Sequence, residues 1–200
     1  MTTNEILSSR ADRQAVGSAA LPTEAPRSHA RLLAREAGLV LAGTAAIALI
    51  GQVGLPLPFT PVPVTLGTLA ALGVGGVLGS RRGVASALLL AGLAALGAPV
   101  LAGWSGGVGA SFGYVLGYAL AAAVAGRATA RRDGARPGLL ARVLIMVAAS
   151  AVVYVPGLIW LAVATGMGPE ATIGAGLVPF IVGDLLKSLA AAGALRGRVS

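Results

Sequence analysis

The sequence predicts an all-α membrane protein, a bundle of six transmembrane helices. Three observations carry this. The chain has 200 residues, of which 56% are hydrophobic and only 11% charged. A soluble domain carries roughly 25% charged residues, so these charges are too few to cover a globular surface, and lipid is the expected solvent. The apolar residues fall into six runs divided by short Arg-, Pro- or Gly-rich connectors. The connectors alternate between those that carry Arg and those that carry none, as the two faces of a membrane require.

The elements follow in order. Residues 1–28 are polar and of mixed charge, with Pro22 and Pro26. No short apolar segment with a small-residue cleavage site precedes the first run, which argues against a cleaved signal peptide. A disordered cytoplasmic tail is expected there, with a single transmembrane domain over 29–198. The first apolar run covers 38–53 and is extended backwards by an amphipathic start from Ala30. Leu55 to Pro63 contains four prolines and cannot continue a helix. The second run, 64–79, ends at Ser80-Arg-Arg-Gly83, and the third spans 84–101. A Gly-rich connector, 103–113, leads to the fourth run, 114–126. A basic loop, 127–142, carries the turn pairs Asp133-Gly134 and Pro137-Gly138. The fifth run, 143–165, has an expected kink at Pro156-Gly157. After a loop over 166–178, Pro179 suits the first helical position of the last run, which continues to about Leu195.

Several runs are shorter than the ~20 residues of a span. The Pro- and Gly-rich connectors are therefore expected to sit partly at membrane depth. Irregular backbone is tolerated there only when it is buried or lines a cavity, so an enclosed site is expected.

The net charge is +8. In a soluble protein that would suggest nucleic acid. Here fourteen of the fifteen Lys and Arg residues lie in the N-terminal segment, at Arg81-Arg82, in the 127–142 loop and at the C-terminus. All fourteen share one side if there are six spans and both termini are cytoplasmic. The chain has no cysteine, which excludes disulfides and thiolate sites. Its single histidine, His29, has no second ligand nearby in sequence, so no metal or cofactor is expected. No Ser/His/Asp set, HExxH or carboxylate pair appears at membrane depth, so an enzyme is not expected. ATP-binding motifs are absent too, and ATP-driven transport would need separate subunits.

The fifteenth basic residue is Lys187, three positions after Asp184 in the last run. The two lie roughly 7 and 12 Å below the start of that helix and share a face. Charges within a membrane are costly and usually face the bundle interior or a water-filled cavity. The pair is either an ion pair that locks helices or an anchor for a ligand: Asp accepts N–H groups and Lys donates to a carbonyl or carboxylate. Trp104 and Tyr114 bracket the Gly-rich connector, with Tyr154 and Trp160 in the fifth run. They read either as an interfacial aromatic belt or as a stacking wall for a small heterocycle. Ala30, Ala34, Gly38, Ala42 and Ala46 recur every four residues on the first helix. This stripe allows close approach of another helix, within the bundle or from a membrane partner.

Four segments together resemble the BioY family, the biotin-binding S component of energy-coupling factor (ECF) transporters. They are Pro61-Val-Pro-Val-Thr65; Gly76-Val-Leu-Gly-Ser-Arg-Arg-Gly83; Gly97-Ala-Pro-Val100 followed by Gly106-Gly107 and Gly113-Tyr-Val-Leu-Gly117; and Pro179-Phe-Ile-Val-Gly-Asp-Leu-Leu-Lys187. The resemblance covers most of 38–195. It departs from the family pattern at Gly67, where Gln is usual, at Leu90 and Leu101, where aromatics are usual, and in Gly109-Ala-Ser-Phe-Gly-Tyr114.

The resemblance implies a six-helix bundle of the ECF S-component type that captures biotin from outside. It implies as partners a transmembrane T component and two ATPase subunits. Asp184 and Lys187 would lie in the binding pocket. Trp104, Tyr114, Tyr154, Gly113 and Thr65 are expected as further substrate contacts. The stripe Ala34, Gly38, Ala42 and Ala46 would meet the T component. Alternatives are an S component for another vitamin, a structural scaffold, and a stand-alone channel or secondary transporter; an inverted internal repeat would favour the last, and none is evident.

Overall fold

The computed structural model describes residues 26–130 and 135–195, with side chains from residue 29. The expected tail therefore lies outside the described residues up to position 25. So do Arg131, Arg132, Arg196, Arg198 and the Asp133-Gly134 turn. Helix α1 runs Pro26–Gly51, which places 26–28 in helix rather than tail. The chain divides after Arg35, and Glu36–Ser200 forms one compact unit.

Within that unit the order after α1 is β1 (Gly54–Leu55), β2 (Val64–Thr65), α2 (Gly67–Leu78), α3 (Ser80–Ala95) and α4 (Phe112–Ala125). Then come α5 (Leu139–Ala151), α6 (Tyr154–Thr165), α7 (Pro169–Gly176) and α8 (Ile181–Ala194). Among the described residues six helical segments result, with α5–α6 and α7–α8 each forming one broken segment. The stretches 29–51, 139–165 and 169–194 are long and apolar enough to cross a membrane.

The packing differs from that of a soluble core. Alanine supplies much of the interior beside Leu72, Met146 and Leu161: Ala71, Ala87, Ala94, Ala121, Ala122 and Ala149 have no exposed surface. Large side chains face outward, among them Leu140 (73% exposed), Val163 (78%) and Val182 (70%). Small residues let helix backbones approach closely where lipid, not water, surrounds the bundle. A Cβ on Gly75 would strike the backbone of Ala122, so α2 and α4 touch main chain to main chain. Gly83 on α3 meets the Cα of Gly75 at the same place.

On α1, Gly43, Thr44 and Ile47 face inward. The Thr44 hydroxyl donates to the Ser86 carbonyl at 3.0 Å, and the Ser86 hydroxyl to the Val40 carbonyl at 3.0 Å. Arg82 donates twice to Glu36, at 2.6 and 2.7 Å. Ala34, Gly38 and Ala42 are exposed or nearly so and Ala46 is half-buried, so most of the small-residue stripe is not used inside this bundle.

The differences from the sequence reading have local causes. The fifth run breaks at Val152–Val153, one turn before Pro156, because a proline ring collides with the carbonyl four residues earlier. The expected loop 166–178 contains α7: Gly166 ends α6 in the left-handed region (φ 70°), and Pro169 opens α7 at its first position. Pro179 sits in the 3-10 turn Val178–Phe180 rather than opening the last helix. The third run stops at Ala95, and Gly97 (φ 87°) turns the chain out of it.

Candidate functional site

Irregular backbone from both connectors closes over one end of the bundle. The strands β1 and β2 pair antiparallel, Gly54 with Thr65 and Leu55 with Val64. The second connector is pinned where the Trp104 N–H donates to Gln52 Oε1 at 3.0 Å and the Trp160 indole to the Gly109 carbonyl at 3.0 Å. The Thr60 hydroxyl donates to the Ala175 carbonyl at 2.8 Å, fastening the Pro-rich connector to α7. Beneath lies a partly open cavity of about 80 Å³. Its walls are mostly apolar, from residues such as Ile47, Val62, Leu90, Val100 and Val115.

Its charged groups come from α8. Lys187 Nζ donates to Asp184 Oδ1 at 2.8 Å, and both residues are at least nine-tenths buried. The spacing of three on one helix turn produces this pair directly. The Tyr154 hydroxyl, at the start of α6, donates to Asp184 Oδ2 at 2.5 Å. The break at Val152–Val153 frees α6 to begin at that depth. The Ser188 hydroxyl donates to the Asp184 backbone carbonyl at 2.7 Å and stays off the carboxylate. Both carboxylate oxygens are thus engaged, whereas Lys187 has three donors and one described partner. The arrangement can receive an acceptor group of a ligand at Lys187.

Aromatic rings form a wall beside the pair. The Tyr114 and Tyr154 rings meet edge to face at 6.2 Å, and Phe180 lies 6.4 Å from Tyr114. Tyr114 is held by a 2.7 Å hydrogen bond to the Gly176 carbonyl. Glycines at 157 and 176 leave its ring and hydroxyl room, because a Cβ at either would overlap Tyr114.

Of the residues singled out in the sequence, Asp184, Lys187, Tyr114, Tyr154 and Thr65 come together around this cavity. Trp104 does not line it and is 61% exposed. Gly113 packs against the Pro156 carbonyl and the Trp160 Cβ, which makes it a helix contact rather than a cavity wall. The sequence reading missed Tyr118, Thr68 and Phe180, which line the cavity. Tyr118 lies four residues after Tyr114, and that spacing alone could have placed both on one face. Among the described residues no three His, Asp or Glu side chains gather as metal ligands.

The sequence profile of the BioY family matches residues 22–199. The chain belongs to the BioY family. "Biotin transporter BioY" of Rhodobacter capsulatus is 36% identical over 145 residues, 66% of this chain and 76% of that protein. "Probable biotin transporter BioY" of Pyrococcus horikoshii is 32% identical over 162 residues, 79% of this chain and 92% of that protein. The crystal structure of the S-component for biotin from an ECF-type ABC transporter superposes with a TM-score of 0.71 at 25% identity. The superposition covers 84% of this chain and 92% of the other. This BioY chain is thus a membrane transport protein with the S-component fold, not an enzyme.

Proposed function

We propose that this BioY protein captures biotin from outside and passes it inward with an ECF T component and two ATPase subunits. The observation that carries the reading is the buried Asp184–Lys187–Tyr154 network opening on a cavity with an aromatic wall. Biotin offers ureido N–H donors, a carbonyl, a carboxylate and an apolar body, which suits a mostly apolar pocket with few polar groups. The names of the relatives support the same substrate. Calorimetry on the purified chain tests it: saturable biotin binding is expected, and its absence overturns the substrate.

The location proposed is the plasma membrane, with both termini cytoplasmic. Its support is the confinement of fourteen of fifteen Lys and Arg residues to one set of connectors. A reporter fused after Arg198 is expected to read as cytoplasmic.

The stripe of Ala34, Gly38, Ala42 and Ala46 is the proposed face for the T component. A Cβ on Gly38 meets nothing within 4 Å, so a large residue there leaves the bundle intact. Gly38→Trp is expected to keep biotin binding unchanged while lowering uptake with the coupling subunits by about tenfold or more, since close helix approach depends on small residues. Equal uptake by the variant would remove the face from consideration.

The Thr60–Ala175 clasp is the proposed control on release. The chain has no cysteine, so Thr60→Cys with Ala175→Cys forms only its own disulfide. Oxidised after loading, the pair is expected to slow biotin release, since opening of a closed loop limits release in many proteins. Reduction should restore it. An unchanged release rate in the oxidised protein would show that the ligand leaves elsewhere.

A further inference from the structure

The first turn of α5 holds a buried arginine with no anion. Arg142 is more than nine-tenths buried. Its Nε and Nη1 atoms are sealed from the surface and have no hydrogen-bond partner. Among the described residues no carboxylate forms an ion pair with it. The helix end beside it is open as well. Gly138 has no side chain with which to cap α5, and no acidic residue stands in the first turn. Arg142 donates its own N–H to the Gly138 carbonyl at 3.0 Å, so the N–H groups of Leu139, Leu140 and Ala141 lie ahead of the first closed turn. Side chains on a helix lean back toward its N-terminus, which sets the guanidinium beside these N–H groups.

A buried charge without a partner is costly, and most ionisable groups escape the cost by losing the charge. Arginine cannot be deprotonated in a protein, so the site needs an acceptor brought to it. The planar guanidinium and the N–H groups of a helix start both suit phosphate. Leu139, Leu140 and Leu144 are exposed on the same helix, so this turn faces acyl chains, and the anions within reach are lipid headgroups. A partner's carboxylate fits less well. Helix α5 packs chiefly on α8 and α4, whereas the proposed partner face lies on α1. Basic pockets between spans on the cytoplasmic side are suited to anionic headgroups.

We infer that the start of α5 binds the phosphate of an anionic membrane lipid, with the Arg142 guanidinium and the open first-turn N–H groups as donors. Arg142 does not line the cavity beside α8, so this is a separate site and does not depend on the substrate. Its cytoplasmic location rests on the topology proposed above. The test uses bilayers with the same lipid in both leaflets, so orientation does not enter.

The melting midpoint of the full chain is measured in nanodiscs of phosphatidylcholine alone and with phosphatidylglycerol added. The unmodified chain is expected to gain about 3–5 °C from phosphatidylglycerol, the shift given by a ligand at about ten times its dissociation constant. Arg142→Met is expected to lose that gain. In phosphatidylcholine alone it should melt at or above the unmodified chain, because no unpaired charge is left buried. Arg142→Gln should lose the gain too and serves if the methionine variant folds poorly. Arg127→Gln removes an exposed charge from the same basic loop and should keep the gain. Inorganic phosphate at about 10 mM in phosphatidylcholine should give no shift, since it lacks the acyl chains that hold a headgroup at the site. No gain in the unmodified chain would overturn the inference. So would an equal gain in the Arg142 variants, or its loss in Arg127→Gln, either of which would reduce the effect to general attraction by the basic loop. A matching shift with inorganic phosphate would assign the site to a soluble anion instead. If Arg142→Met and Arg142→Gln both melt far below the unmodified chain in phosphatidylcholine, Arg142 is already satisfied within the protein, and the site falls.

Discussion

Lys187→Ala is expected to weaken biotin binding by about 30- to 100-fold, the loss typical of a hydrogen bond to a charged group. It should also destabilise the protein, because Asp184 is left buried without its cation. Breaking a buried ion pair from one side costs about 3–5 kcal/mol. The two effects can be separated. In Asp184→Asn with Lys187→Met no charge remains, the Tyr154 hydroxyl still has an acceptor, and the methionine fills the lysine's volume. Such uncharged replacements of buried pairs are often neutral in stability. The double variant is therefore expected to melt within a few degrees of the unmodified chain and still to bind biotin poorly. A double variant that binds normally would leave the pair with a structural role alone. One that stays unstable would point to a structural need for the charges themselves.

Gly75→Leu is expected to abolish folding. The added Cβ would lie on the Ala122 backbone, which cannot move without separating α2 from α4, and Gly83 of α3 crowds the same point. Overpacking where no side chain can yield costs about 3 kcal/mol or more. Gly73→Leu is the control: it lies on the same helix, and a Cβ there meets nothing within 4 Å. It should leave stability within about 0.5 kcal/mol, as for surface changes generally. The measurement is the melting curve and elution profile of the detergent-solubilised chain. Normal elution and melting of Gly75→Leu would contradict the backbone contact described for α2 and α4.

These features differ in how far the sequence revealed them. Asp184 and Lys187 stood out because an ionisable residue inside an apolar run is costly and survives there mainly by pairing or by serving a ligand. Their hydrogen bond follows from helix spacing alone. The six spans were legible from hydropathy, and the connectors from proline and glycine. Tyr118 was not, because a tyrosine inside the apolar run 114–126 reads as core. Its place in the cavity wall depends on packing against Gly67, 51 positions away and on another helix. Phe180 was hidden for the same reason. Helix α7 was obscured by the Gly-rich composition of 166–178, where packing overrides propensity. The kink was seen through Pro156 but placed a turn late, since the steric conflict acts on the preceding turn. Trp104 looked like a wall by residue type. Its place depends on where the connector turns, and the adjacent Gly103 is one of the positive-φ glycines that set that path.

The ion pair has one more consequence. Asp184 and Lys187 cancel, so the cavity carries no net charge from the residues described as lining it. A bound carboxylate then makes the loaded cavity an anion. Moving one elementary charge against a membrane potential costs about 2.3 kcal/mol per 100 mV. On the proposed function, and in a cell whose interior is negative, that electrical work opposes each inward delivery. It falls on whatever drives the loaded protein inward, and the empty return stroke is free of it.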